Sequence, residues 1–324
     1  MMMSKKILVY WKITEEQQQK IHDIAAAHGW QAVFESDPVK AVREAEDAEI
    51  LFGGDQEPLG QAKALKWFCT NWAGVNAYLR DGVLPNTTCL LSNSAGAYGV
   101  TISEHIIMTA LMMMRQYHRH EAILNDTART SWKEVVPMRS LCGSRITLLG
   151  TGDIGRTFAS RVRGFMPKSV IGVNRSGRAV PGCDRVYQVS ELAEVLPKTD
   201  LLVMSLPETP ETIGIMGKDM LALLPKDAYL VNVGRGSAID ETALIDALNH
   251  DRLAGAALDV MQTEPLPADS PLRTAKHILL TPHCAGKMAL DYTREKSVAM
   301  FCEDLENYLS GRPLKHRVDK KRGY

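Results

Sequence analysis

The chain has 324 residues, 38 basic against 38 acidic side chains, 45% hydrophobic residues and 6% aromatics. That length suits about two domains with a core each, and the balanced charge excludes a general nucleic-acid or polyanion binder. The hydrophobic content excludes wholesale disorder, and no apolar run reaches the ~18 residues of a membrane span.

Residues 1–6 lead straight into an apolar strand pattern, without the features of a secretory leader. Residues 6–11 predict a strand and 15–27 a helix closed by Gly29. A strand at 31–35, a helix near 39–45, a strand at 49–52, a helix near 61–65, and strands at 67–70 and 89–91 complete a first α/β unit. One long helix is expected over 103–125. Its centre, 106–114, is apolar on nearly every face, which requires either burial all round or an interface. A second series of strands follows at 145–149, 169–173, 185–188, 201–206, 228–233, 255–260 and 277–281, and the last helix is near 289–309. Short apolar runs alternating with helical patterns are the mark of parallel α/β sheets. The six cysteines (Cys69, Cys89, Cys142, Cys183, Cys284, Cys302) are scattered singly. This suits free thiols in a reducing cytoplasm and fits neither zinc nor a thioredoxin-type site.

The segment I-T-L-L-G-T-G-D-I-G ends a strand and opens a helix. Gly150 permits the tight turn, Gly152 lets the backbone approach a pyrophosphate, and Gly155 lets helix and strand pack closely. With Asp153 and Ile154 in the first helical turn, the amides and dipole point at phosphates. A dinucleotide site is therefore expected. About 20 residues on, where NAD proteins place an acid on the ribose, the chain reads Asn174-Arg175-Ser176, with Arg178 beyond. A neutral residue followed by an arginine suits a 2′-phosphate, so NADP(H) is the expected cofactor and NAD(H) stays open. Residues 139–185 carry nine basic side chains against Asp153 and Asp184, a basic stretch where a phosphorylated dinucleotide would sit.

Three polar residues lie just beyond three later strands: Arg235 in G-R-G, Glu264 in T-E-P-L-P, and His283 in T-P-H-C-A-G. Ligands bind at such strand ends in open α/β sheets. A cation, a carboxylate and an imidazole there suit hydride transfer to a 2-oxo acid. His283 would supply the proton to the carbonyl oxygen, Glu264 would fix its tautomer and favour the imidazolium, and Arg235 would hold the substrate carboxylate.

From about residue 143 to 286 the chain resembles the D-isomer-specific 2-hydroxyacid dehydrogenase family. The resemblance rests on L-L-G-T-G-D-I-G, M-S-L-P-E-T-P-E-T, L-V-N-V-G-R-G-S-A-I-D, A-A-L-D-V-M-Q-T-E-P-L-P and L-T-P-H-C-A-G. It implies Arg235, Glu264 and His283 as the catalytic set, with nicotinamide contacts near Val233, Asp259 and Gly286, and Leu206-Pro207 toward the adenosine. It implies two Rossmann-like doubly wound α/β domains. A dinucleotide-binding domain (99–289) is inserted into a flavodoxin-like substrate domain (1–98 and 290–324). The loop Ala73-Gly74-Val75 would bind the substrate carboxylate through its amides. A homodimer is implied as well, with the apolar helix as its surface. The match is looser over W-A-G-V-N and over S-E-H at Ser103–His105, which would open the long helix. Asn174 replaces the usual acid, and Trp72 stands where smaller residues are common.

The expected activity is an NADPH-dependent reduction of a small 2-oxo acid, of the glyoxylate/hydroxypyruvate, branched or aromatic type, with no nucleic-acid or membrane partner. Two alternatives stand: a same-family dehydrogenase of another substrate such as phosphite, and a non-catalytic dinucleotide sensor or corepressor. Cys284 reads as a small apolar filler. His118, His120 and Glu121 read as the solvated end of a helix, with no metal site expected. The basic tail from Arg312 reads as a solvated terminus.

Overall fold

The structure is a computed structural model that describes residues 5–128, 131 and 136–323. The reading of the N-terminus as leader-free falls partly on residues 1–4, outside the described residues. The chain divides into two compact units, Met1–Tyr98 with Lys287–Tyr324, and Gly99–Gly286.

The first unit contains β1 (Lys6–Val9), α1 (Glu15–Ala27), β2 (Gln31–Phe34), α2 (Pro38–Glu44), β3 (Ile50–Gly53), α3 (Glu57–Gln61), β4 (Trp67–Thr70) and β5 (Leu90–Ser92). Its five strands pair in parallel in the order β2-β1-β3-β4-β5, the flavodoxin-like winding. Local signals set the elements. Thr14 and Gln17 form a capping box at the start of α1, and Asp37 caps α2 ahead of Pro38 at its first position. The helix expected near 61–65 lies earlier, at Glu57–Gln61, because Pro58 suits a first helical turn. Ala62 and Leu65 instead bury themselves beneath the turn that follows. The helix at Asp291–Leu309 returns to this unit and drives Phe301 into its core, stacked at 4.1 Å on Phe52 and 5.3 Å from Trp67.

The second unit contains α4 (Gly99–Met114), α5 (Tyr117–Asn125), β6 (Arg145–Leu149), α6 (Asp153–Val162), β7 (Ser169–Asn174), β8 (Arg185–Gln188), α7 (Leu192–Val195), β9 (Leu201–Met204), α8 (Lys218–Ala222), β10 (Tyr229–Asn232), α9 (Glu241–Asn249), β11 (Gly255–Leu258) and β12 (Ile278–Leu280); the returning helix is α10. Seven parallel strands run β12-β11-β10-β9-β6-β7-β8. This is the doubly wound dinucleotide-binding order with one strand added, and its switch point lies between β6 and β9. β9, β10 and β11 are buried at every residue, as expected of parallel strands covered on both faces.

Two further expectations are corrected. The single helix over 103–125 is two: α4 begins at Gly99 and ends at Met114, and Gln116 then turns left-handed (φ 54°). The Met114 carbonyl accepts from the Arg139 amide, which stops the helix. α4 is not buried all round, since Met108 is 45% exposed. The basic tail is not simply solvated. Val318 is buried, its amide donates to Leu91, and Arg317 bridges Ser92 antiparallel, so the tail covers the open edge of β5.

Candidate active site

The glycine loop follows β6. Gly150 has φ 102°, a backbone that favours glycine, and a Cβ on Gly155 would lie 2.2 Å from the Gly150 carbonyl oxygen. Around Gly152 a Cβ would meet nothing within 4 Å. The protein thus leaves open space over the first turn of α6, where amides have no helical acceptor. The Asp153 carboxylate is engaged within the protein, accepting from the Gly99 amide at 2.8 Å and pairing with Arg156 at 3.1 Å, which leaves main chain at this turn, as at Ile154.

At the end of β7, Asn174 organises its own loop. Its Nδ2 donates to Thr151 Oγ1 at 2.9 Å and to the Arg178 carbonyl, while its Oδ1 accepts from the Ser176 amide and hydroxyl. Of the nine basic residues in 139–185, Arg139, Arg145, Arg156, Arg161 and Arg163 pair with Asp227, Asp200, Asp153, Glu104 and Asp184. Arg175 and Arg178 are exposed and have no ion pair among the described residues.

The catalytic candidates stand at the ends of β10, β11 and β12. Asn232, last in β10, holds the turn that follows: its Oδ1 accepts from Gly234 and its Nδ2 donates to the Arg235 carbonyl. Gly234 has no room for a Cβ, which would lie 2.7 Å from the Leu206 backbone; Leu206 is buried and Pro207 exposed. Val233 is buried, its amide bonded to Met204. Arg235 donates to the Gly234 carbonyl, and no carboxylate lies within ion-pair distance of it among the described residues. Burial lowers its pKa, while Glu208 and Glu264 at longer range oppose that. Glu264 is locked at both oxygens, accepting from the Met261 amide at 2.9 Å and from His283 Nδ1 at 2.7 Å. A carboxylate only accepts, so Nδ1 carries a proton toward Glu264 and Nε2 is the ring atom left for chemistry. The His283 side chain remains 50% exposed.

Sequence reasoning assigned Asp259 a cofactor contact and overlooked its second use. Asp259 is 3% exposed, and its oxygens accept from Thr281 Oγ1 at 2.6 Å and from the amides of Cys284 and Ala285. His105 Nε2 lies 3.2 Å from the same Thr281 hydroxyl, 176 residues away in sequence. Only the S-E-H segment hinted at it. Cys284 is half-buried, and His105, Asp259 and Cys284 each place one possible metal-ligand atom within 4.8 Å of the others. Asp259 already accepts on both oxygens. Gly286, half-buried, ends this segment.

In the first unit, Ala73, Gly74 and Val75 follow β4. The carbonyls of Asn71, Trp72 and Ala73 are engaged by Tyr98 Oη, the Ser94 amide and Asn93 Nδ2. Tyr78 Oη donates to Gly54 and Tyr10 Oη to Asp55. Among the described residues no hydrogen bond occupies the amides of Ala73, Gly74 or Val75. Trp72 stands partly exposed, its indole over Gly54, which has no room for a Cβ.

Residues 107–285 match the family model for the D-isomer specific 2-hydroxyacid dehydrogenase, NAD binding domain. The chain is 34% identical over 229 residues to glyoxylate/hydroxypyruvate reductase A of Escherichia fergusonii, covering 70% of each chain. Among solved structures it resembles a D-isomer specific 2-hydroxyacid dehydrogenase family protein from Aeromonas salmonicida, with a TM-score of 0.83, 30% identity and coverage of 98% and 99% of the two chains. It also resembles the D-isomer specific 2-hydroxyacid dehydrogenase from Xanthobacter autotrophicus in complex with NADPH and MES, with a TM-score of 0.79, 28% identity and coverage of 99% and 100%. Since the family model spans more than half of the chain, on a unit whose glycine loop follows the switch-point strand, this oxidoreductase belongs to the D-isomer specific 2-hydroxyacid dehydrogenase family.

Proposed function

We propose that the chain reduces a small 2-oxo acid to the D-2-hydroxy acid with NADPH. The observation that carries this reading is the 2.7 Å bond from His283 Nδ1 to Glu264. It leaves Nε2 as the ring atom free to take up and give a proton, on a half-exposed ring. His283 would give that proton to the carbonyl oxygen as the alcohol forms, and Glu264 would stabilise the imidazolium before transfer and orient the ring throughout. Arg235, a half-buried cation with no carboxylate within ion-pair distance among the described residues, suits the substrate carboxylate and the polarised carbonyl through charge-assisted hydrogen bonds. The open amides of Ala73, Gly74 and Val75 suit an anionic group, and we assign these residues to substrate binding.

The space at Gly152 fits a dinucleotide, held by the loop Gly150–Gly155 and the first turn of α6; when bound, it supplies the hydride to the keto carbon. We assign Arg175 and Ser176 to the 2′-phosphate, with Val233, Asp259 and Gly286 toward the nicotinamide and Leu206-Pro207 toward the adenosine. NADPH in the Xanthobacter autotrophicus complex favours that cofactor, and glyoxylate or hydroxypyruvate is the substrate type favoured by the Escherichia fergusonii relative. The substrate and dinucleotide domains we assign to the first and second units. An open hollow of about 500 Å³ beside α4 and α6, lined by Ile107, Met108 and Phe165 and by the Glu104–Arg161 ion pair, suits the face of a homodimer, and the free cysteines suit a cytoplasmic enzyme.

The test is turnover of NADPH and NADH against a panel of 2-oxo acids. NADPH-dependent reduction of a short oxo acid is the expected result. Tight NADPH binding with no turnover of any member would overturn the reading in favour of a dinucleotide sensor.

A further inference from the structure

We propose that His105 is a positioning residue for the acid–base loop: through Thr281 it locks the Asp259 carboxylate that holds residues 283–285 in place. The inference rests on the reading of His283 as proton donor.

Proton counting assigns the roles. The Asp259 carboxylate can only accept. It takes the Thr281 hydroxyl proton at 2.6 Å, the Cys284 amide at 2.8 Å and the Ala285 amide at 3.0 Å. Thr281 has one hydroxyl proton, already given to Asp259, so its oxygen can only accept from His105. The His105 proton therefore sits on Nε2, 3.2 Å away. Burial holds this ring toward its neutral form, against the pull of Asp259.

What the chain of bonds restrains is a segment with little freedom of its own. His283 has φ 49°, a left-handed backbone that persists in a non-glycine residue only when its surroundings over-determine it. Its amide donates to the Asp259 carbonyl at 2.8 Å, so Asp259 grips the segment by main chain and side chain together. His105 comes from α4, whose first amide is held by Asp153. The acid–base loop is thus referenced to a helix and not only to its own strand.

The experiment measures NADPH oxidation and NADPH binding for His105→Leu, His105→Gln and Thr281→Val, each alone and combined with His283→Ala. His105→Leu is expected to lower kcat by about 10- to 100-fold, the scale of a misplaced reacting group. Its Kd for NADPH should change far less than kcat, since Asp259 is only one of the residues assigned to the dinucleotide. His105→Gln keeps an N–H near the position of Nε2 and should restore most of kcat. Thr281→Val keeps the shape, loses both bonds and should fall like His105→Leu, replacing it if that variant does not fold. In the His283→Ala background each change should cost less than about twofold, because the group being positioned is gone. Undiminished kcat in His105→Leu and Thr281→Val, a loss in His105→Gln as deep as in His105→Leu, or full losses in the His283→Ala background would overturn the inference. Wild-type turnover by His283→Ala would instead overturn the acid reading beneath it.

Discussion

The two units share a parallel, doubly wound design and finish their strands with opposite chemistry. In the Gly99–Gly286 unit, strand ends carry side chains that grip the next turn: Asn174 at the end of β7, Asn232 at the end of β10, Asp259 after β11. In the first unit, the corresponding carbonyls are taken up by tyrosine hydroxyls, from Tyr10 to Asp55, Tyr78 to Gly54 and Tyr98 to Asn71. Occupied carbonyls leave the amides of Ala73–Val75 as the polar groups on offer. One unit thus uses side chains to hold the turns that carry Arg235 and His283. The other presents a fixed set of N–H donors, suited to an anion and to no step of chemistry. Variants at the two kinds of strand end should therefore differ in which kinetic constant they change.

The largest effect is expected at His283. His283→Ala should lower the rate of reduction by roughly 10²–10⁴-fold with near-normal NADPH affinity, read by single-turnover NADPH fluorescence. Next comes Arg175→Ala, which should narrow the NADPH-over-NADH preference in kcat/KM by about 10-fold or more, the worth of a charge-assisted hydrogen bond. An unchanged preference would remove Arg175 from the cofactor site. In the first unit, Tyr98→Phe strips the donor from the Asn71 carbonyl and should cost about 1–3 kcal/mol of stability in a urea titration. It should raise the KM for the oxo acid and leave kcat nearly intact. A fall in kcat as deep as that of His283→Ala would break the distinction between the units.

Much of this was legible in the sequence, for identifiable reasons. The strands at 67–70, 145–149 and 185–188 match their expected bounds, because flanking turn residues punctuate them sharply. The long helix divides because Gln116 turns left-handed and the remote Arg139 amide takes the Met114 carbonyl, neither of which a helical period reports. The pair His283 and Glu264 was legible because each follows a strand in one sheet, so chain order implied a common edge. His105 was not: its partner Thr281 lies 176 residues away, and a hydrogen bond at that separation has no period. The tail misled for a similar reason, since composition reports its charge and not the buried Val318.

The smallest effect concerns the opposite, N-terminal ends of the strands, where the units again differ. Lys6 meets Glu44 and Asp47 as a single ammonium near the surface. Arg145 instead grips Asp200 with Nε and Nη2, and Asp200 also accepts from the Arg145 amide. The Arg145 hydrogen bond holds the Asp200 carboxyl below its usual range, with burial opposing. A carboxyl depressed in the folded state adds stability above its unfolded value of about 3.9 and loses it as pH falls through the folded value. Asp200→Asn should therefore cost about 1 kcal/mol or less at pH 7, after solvent screening. That cost should shrink as a urea titration is repeated toward pH 3. Glu44→Gln should cost less at either pH. A deficit for Asp200→Asn that grows on acidification would show that the ion pair is not what ties β9 to β6.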